Sequence, residues 1–138
     1  MVTGMQAITS ETIALRSSED IVRVRQAVRK QAVSLGFGII DQTKVVTASS
    51  ELARNTVDHG GGGTVRIEVV EKNRKPGLRL VFEDHGPGIA DIALALTDGY
   101  TSGSGMGLGL SGSKRLSHEF EICSKPGEGT TVSILRWK

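Results

Sequence analysis

At 138 residues the chain suits a single domain, residues 1–138, with a real buried core. Charged residues make up 23% and hydrophobic residues 38%, the balance of an ordinary globular protein. A net charge of +2 is too small to argue for nucleic acid or a membrane surface as a partner. The lone cysteine, Cys123, excludes an internal disulfide and points to a reducing compartment. No stretch approaches the roughly 20 apolar residues of a membrane span, and no signal peptide opens the chain. The expected location is the cytoplasm.

Residues 7–16 alternate weakly and carry β-branched side chains, which predicts a first strand. Ser17 or Ser18 then starts a helix, with Glu19 and Asp20 in its first turn, where the helix dipole favours negative charge. Ile21, Val24, Val28, Ala32 and Leu35 give that helix one apolar face, and Gly36 and Gly38 end it. Asp41 is the expected N-cap of a second helix running to about Asp58, with Val45, Leu52 and Ala53 on its inner face. The glycines at 60–63 make a loop. Residues 64–70 and 78–82 read as two strands, joined through Asn73–Gly77 with Pro76-Gly77 as the turn. A short helix is expected over 91–96, a Gly- and Ser-rich lid over 98–112, and a helix over 110–116. Residues 120–124 and 130–137 close the chain as a strand pair around Lys125-Pro126-Gly127-Glu128-Gly129. Strands that follow one another as hairpins predict an α+β two-layer sandwich with a mostly antiparallel mixed sheet and helices on one face.

Four segments carry chemistry. Glu83-Asp84-His85-Gly86-Pro87-Gly88-Ile89 follows an apolar strand, so Asp84 can accept a hydrogen bond from an amino group while Gly86 and Gly88 let the backbone approach a flat ligand. An acidic surface turn is the plain alternative. In Ser50-Glu51-Leu52-Ala53-Arg54-Asn55-Thr56-Val57-Asp58-His59-Gly60, Glu51 and Asn55 are four apart on one helix face and Asp58 lies in the same sector. Glu51 can serve as a general base, and the Asn55 amide oxygen suits magnesium. Taken alone, a solvated polar face explains the same residues. Gly103-Ser104-Gly105-Met106-Gly107-Leu108-Gly109-Leu110 leads glycines into a helix, an anion-binding arrangement. A flexible linker is the alternative, though Met106, Leu108 and Leu110 suggest packing when the loop closes. Gly127-Glu128-Gly129-Thr130-Thr131 reads in isolation as a hairpin turn.

Better-known motifs do not fit. Gly107-x-Gly109-x-x-Gly112 matches the dinucleotide fingerprint in letters only, because no apolar strand precedes it and too little chain follows. After Gly112 the order Ser113-Lys114 reverses what a P-loop needs. The chain also lacks the catalytic-loop signature of eukaryotic-type protein kinases.

In this order the four segments resemble the nucleotide-binding pattern of the GHKL superfamily (gyrase, Hsp90, histidine kinases, MutL) over residues 40–132. Glu51…Asn55 looks like the N box, Asp84-x-Gly86-x-Gly88 the G1 box, Gly105-x-Gly107-x-Gly109 the G2 lid and Gly129-Thr130 the G3 element. Ser50–Asn55, Glu83–Ile89, Asp98-Gly99-Tyr100-Thr101-Ser102, Leu35-Gly36-Phe37-Gly38 and Asp41-Gln42 further resemble the RsbT-type switch kinases of bacterial stressosomes. That resemblance implies a serine/threonine kinase that uses ATP and Mg2+ on STAS-domain antagonist and scaffold proteins. It also implies release from the scaffold and activation of a downstream enzyme, usually a PPM-type phosphatase. The other reading is an anti-sigma factor or a nucleotide-dependent binding switch with little catalysis; retention of Glu51 favours catalysis.

The resemblance also implies site roles. Asp84 would bind the adenine amino group with Thr130 in support, and Gly86, Gly88 and Ile89 would shape the pocket. Asn55 would bind the metal, Glu51 would act as base, and Asp58, Thr101, Ser102, Gly105, Gly107, Leu108 and Gly109 would contact the nucleotide. Residues 98–112 hold no Lys or Arg, so positive charge on the transferred phosphate would come from elsewhere. The candidates are Arg54, Lys114 or Arg115, the metal, or a residue from the partner, with magnesium plus backbone donors preferred. Ile89, Ile92, Leu94, Leu96 and Tyr100 are candidates for a partner surface or for core.

Overall fold

The computed structural model describes residues 7–97 and 109–138. In chain order the elements are β1 (Ala7–Leu15), α1 (Ser18–Ser34), α2 (Ile39–Asp58), β2 (Gly63–Lys72), β3 (Lys75–Asp84), α3 (Ile92–Ala95), α4 (Leu110–Arg115), β4 (Glu119–Ser124) and β5 (Thr130–Trp137). The strands form one sheet in the order β1-β2-β3-β5-β4. All of its pairings are antiparallel, so no parallel pair makes the sheet mixed among the described residues.

Alternation sorts the two faces of the sheet. Val65, Ile67 and Val69 of β2, Leu78, Leu80 and Phe82 of β3, and Val132 and Ile134 of β5 point to one side. There they meet Ile21, Val24, Val28 and Ala32 of α1 and Val45, Ala48, Leu52 and Ala53 of α2, all buried. The predicted helical stripes are therefore the core faces. On the other side Glu68 is buried between two arginines, with Arg66 Nε at 3.0 Å and Arg79 Nε at 2.6 Å. Of the apolar run after the G1-like segment, Ile89 and Leu96 pack on the core while Leu94 is exposed.

The first helix starts at Ser18 behind Ser17, as read, although the Ser17 side chain makes no capping bond. Instead Asp20, buried in the first turn, reaches back to accept from the Arg16 backbone N–H at 2.9 Å. Asp41 does not cap α2. The helix starts at Ile39 behind Gly38, because Arg136 Nη2 holds the Asp41 carboxylate at 2.6 Å. Arg136 Nη1 also donates to the Leu116 carbonyl, so one β5 side chain ties the start of α2 to the end of α4.

The β2–β3 turn is not Pro76-Gly77. Both residues lie in β3, paired with Glu71 and Val70. The turn is Asn73-Arg74, at φ 53° and 66°, the two consecutive left-handed residues of a type I′ hairpin. Gly77 is needed for another reason, since a Cβ there would stand 2.7 Å from the Trp137 ring.

Arg74 holds a conformation that suits glycine better. Arg74→Gly is expected to stabilise the fold by about 1 kcal/mol, read as a raised urea midpoint at unchanged slope. The titrating groups make a second expectation. The Arg16 backbone N–H holds Asp20 below the usual carboxylate range, and the Arg136 hydrogen bond does the same for Asp41. Burial, helped by Arg136 and Lys75, lowers His118, whose Nδ1 accepts from the Trp137 N–H at 2.9 Å. A lowered folded pKa means the unfolded chain binds protons first, so all three contributions are lost as pH falls. Urea midpoints should be flat above the ordinary histidine value of 6.5, decline below it, and decline again near 3.8.

Candidate nucleotide site

A cleft opens where the C-terminal half of α2 faces the ends of β3 and β5. Leu52, Asn55, Thr56 and His59 line it from α2, Phe82 and Asp84 from β3, and Thr130 and Val132 from β5, with Ile89 and Leu110 closing the sides. The space inside it is only about 20 Å³, room for little more than one water molecule. The floor is apolar and the polar groups are few and convergent, the usual make-up of a site for a flat organic ligand.

Asp84 and Thr130 are direct partners in the β3–β5 register. Both face the helices, and both are buried. Asp84 Oδ1 accepts from the Gly86 N–H at 2.9 Å, a local turn that fixes the carboxylate. Glycines crowd in around it. A Cβ on Gly60 would sit 2.6 Å from Asp84 Oδ2, and one on Gly86 would sit 2.7 Å from the Gly60 carbonyl oxygen. Gly129, at φ 81°, would drive a Cβ into the Asp84 carbonyl oxygen. Gly88, at φ 75°, packs in the same way against the Lys125 carbonyl. Gly86 and Gly88 thus shape the cleft at one remove: they let loops stack on one another and are not themselves among its lining residues.

On α2 the helical spacing puts Glu51 and Asn55 one turn apart. Asn55 lines the cleft. Glu51 is exposed at its edge, against Gly109, whose φ is 62° and whose Cβ would lie 2.7 Å from Glu51 Oε2. Asp58 is exposed and is not among the lining residues; Thr56 and His59 are. Arg54, Lys114 and Arg115 are exposed, and among the described residues none that lines the cleft is a lysine or arginine. Thr101, Ser102, Gly105, Gly107 and Leu108 lie outside the described residues, as do Tyr100 and most of the expected lid.

Sequence reasoning missed four contributors. Thr56 lines the cleft with its hydroxyl turned back to the Leu52 carbonyl at 2.9 Å and its methyl close to Gly63. His59 brings Nε2 to 3.4 Å from the Gly88 carbonyl. Gly60 stands against Asp84, and Ser124 Oγ lies 2.8 Å from both Ile89 N and Thr130 Oγ1. The run Gly60–Gly63 was a visible signal, but it read only as a loop.

A buried strand-end carboxylate, a polar helix turn and glycine-stacked loops thus meet around one apolar floor. Residues 40–138 match the model of the histidine kinase-, DNA gyrase B- and HSP90-like ATPases, and the chain belongs to that family. It is 44% identical to the serine/threonine-protein kinase RsbT of Bacillus subtilis, over 91% of this chain and 94% of that one. It is 28% identical to the anti-sigma F factor of Anoxybacillus flavithermus, over 89% of this chain and 86% of that one. A solved Mycobacterium tuberculosis protein with RsbU and RsbW domains shares the fold at a TM-score of 0.63 and 20% identity; the match covers 93% of this chain and 31% of that one. The enzyme class is that of an ATP-dependent serine/threonine protein kinase. No helix among the described residues is long and apolar enough to cross a membrane.

The crowding at Asp84 can be tested against its neighbour in the same loop. Gly60→Ala should push the carboxylate aside and weaken ATP binding at least about tenfold, the loss of one hydrogen bond to a charged group. Gly61 is also left-handed, at φ 74°, but nothing lies within 4 Å of its Cβ position. Gly61→Ala should therefore cost only about 1 kcal/mol of stability and leave ATP affinity unchanged. Calorimetric titration of both variants checks this.

Proposed function

We propose that the chain, as one kinase domain, transfers the γ-phosphoryl group of ATP to a serine or threonine of a STAS-domain protein. The observation that carries this reading is the placement of Glu51. It stands exposed at the cleft edge, one helical turn from Asn55 inside it. A residue there can meet a protein hydroxyl arriving from solvent without touching the base.

In this reading the adenine sits on Phe82, Leu52 and Val132, with its amino group at Asp84 and Thr130. Glu51 takes the proton of the acceptor hydroxyl as its oxygen attacks the γ-phosphorus; the bond to the β,γ-bridging oxygen breaks and ADP leaves. No group of three or more His, Cys, Asp or Glu side chains able to hold a metal stands among the described residues. Magnesium needs none, because it keeps several waters and binds through substrate phosphates plus one or two side-chain oxygens. The Asn55 amide at the cleft fits that role, and the ion would neutralise phosphate charge there.

The similarity to RsbT supports STAS-domain antagonist and scaffold proteins as partners, a PPM-type phosphatase or other enzyme downstream, and a cytoplasmic location. The weaker similarity to anti-sigma F factors supports a second reading, in which binding to a partner is the main output.

The two separate on one residue. Glu51→Ala should keep ATP and partner binding but lose about 10²–10⁴-fold in single-turnover phosphoryl transfer, the usual worth of a general base. Asn55→Ala should in addition weaken magnesium-dependent ATP binding. Transfer at the wild-type rate in Glu51→Ala would remove the base assignment.

A further inference from the structure

Ser124, the last residue of β4, is a hub. Its Oγ accepts from the Ile89 backbone N–H at 2.8 Å, bonds the Gly129 carbonyl oxygen at 2.9 Å, and lies 2.8 Å from Thr130 Oγ1. A serine hydroxyl has one proton. A carbonyl oxygen can only accept, so that proton belongs to Gly129 if this bond is made. One assignment then satisfies all three contacts: Thr130 donates its own proton to Ser124.

The consequence lies at the cleft. With its proton engaged on Ser124, Thr130 can offer a ligand only lone pairs. Asp84, its direct cross-strand partner, also offers only acceptors. Opposed side chains in such a pair start about 4.5–5.5 Å apart, so both acceptors can address one edge of a base. We propose that Ser124 is a positioning residue that sets base selectivity, by holding the Thr130 hydroxyl as an acceptor. The pocket then favours a purine with an amino group at C6 and disfavours one with a carbonyl oxygen there. This rests on the adenine reading above.

The experiment compares ATP with ITP, which differ at the C6 edge: an amino group in one, a carbonyl oxygen with a proton on N1 in the other. Dissociation constants for both are measured by calorimetry on the wild type, Ser124→Ala, Thr130→Val and the double variant, with thermal melting as a fold check. Ser124→Ala frees the Thr130 proton to meet the ITP carbonyl, so the preference for ATP should narrow about five- to tenfold, one hydrogen bond's worth. In the Thr130→Val background no proton exists to release, and the same change should move the ratio less than about twofold. Ser124→Thr, which keeps the hydroxyl, should hold the wild-type ratio. If Ser124→Ala does not fold, Ser124→Cys serves, because a thiol is a poor acceptor.

An unchanged ratio in Ser124→Ala overturns the proposal. So does equal narrowing in the Thr130→Val background, which would trace the effect to a loosened Ile89–Gly129 loop. Unaltered ATP affinity in Asp84→Asn would remove the adenine reading and this proposal together. Intact Asp84 dependence with an unchanged ratio removes only the role of Ser124.

Discussion

The Asp84 carboxylate is buried at the end of the central strand, and backbone rather than side chain fills the space around it. Gly60 presses on the carboxylate, Gly86 donates to it while resting on Gly60, and Gly129 rests on its carbonyl oxygen. Glycine is used here for proximity: each missing Cβ lets one more loop reach the same spot. The arrangement draws three separate loops to one point, those after α2, after β3 and after β4. A buried carboxylate is costly without partners, and the crowding leaves it few ways to turn. That fixed orientation suits the base-recognition role proposed for it.

The same helix-facing side of the sheet carries a second polar anchor at its far end. Arg136 pairs across from Leu78, as Thr130 pairs across from Asp84. At 20 residues α2 is about 30 Å long, so it spans the sheet from one anchor to the other. Asp41 fixes its start through Arg136, and His59 and Gly60 fix its end against the loops. Glu51 and Asn55 are placed by this rod. Their positions relative to Asp84 depend on contacts at both ends, although neither touches Arg136.

What could be read from the sequence followed from range. Helical stripes and the four-residue spacing of Glu51 and Asn55 are local, and both are found as read, whereas the weak alternation of residues 7–16 gives a strand whose side chains are nearly all exposed. Asp84 and Thr130 were legible because each ends a strand beside glycines. Contacts made far along the chain were not. Asp41 looked like a cap because the arginine that claims it is 95 residues away. Pro76-Gly77 outweighed Asn73-Arg74 as a turn signal because Arg74 is an unusual left-handed residue, while the demand for Gly77 comes from Trp137. Asp58 and His59 are adjacent, and only the geometry of the helix end selects His59 for the cleft. Ser124 was invisible for the same reason, since its partners lie in two other segments.

The two ends of the cleft differ in a way that bears on switching. The end proposed for the base is buried and built from backbone crowding, and its free space is small, so a nucleotide entering there would have to part the side chains that line it. The edge at Glu51 is exposed, where water competes with any substrate hydroxyl and screens charge. Among the described residues, no lysine or arginine lines the cleft to offset the phosphate charge. In the proposed mechanism, therefore, a docked protein does more than present a hydroxyl. By covering the edge it would dry the space around Glu51, which strengthens each electrostatic contact there. Nucleotide binding would then be independent of the partner, while transfer would depend on it. Such an enzyme turns over slowly on water and responds to whichever protein covers its open edge.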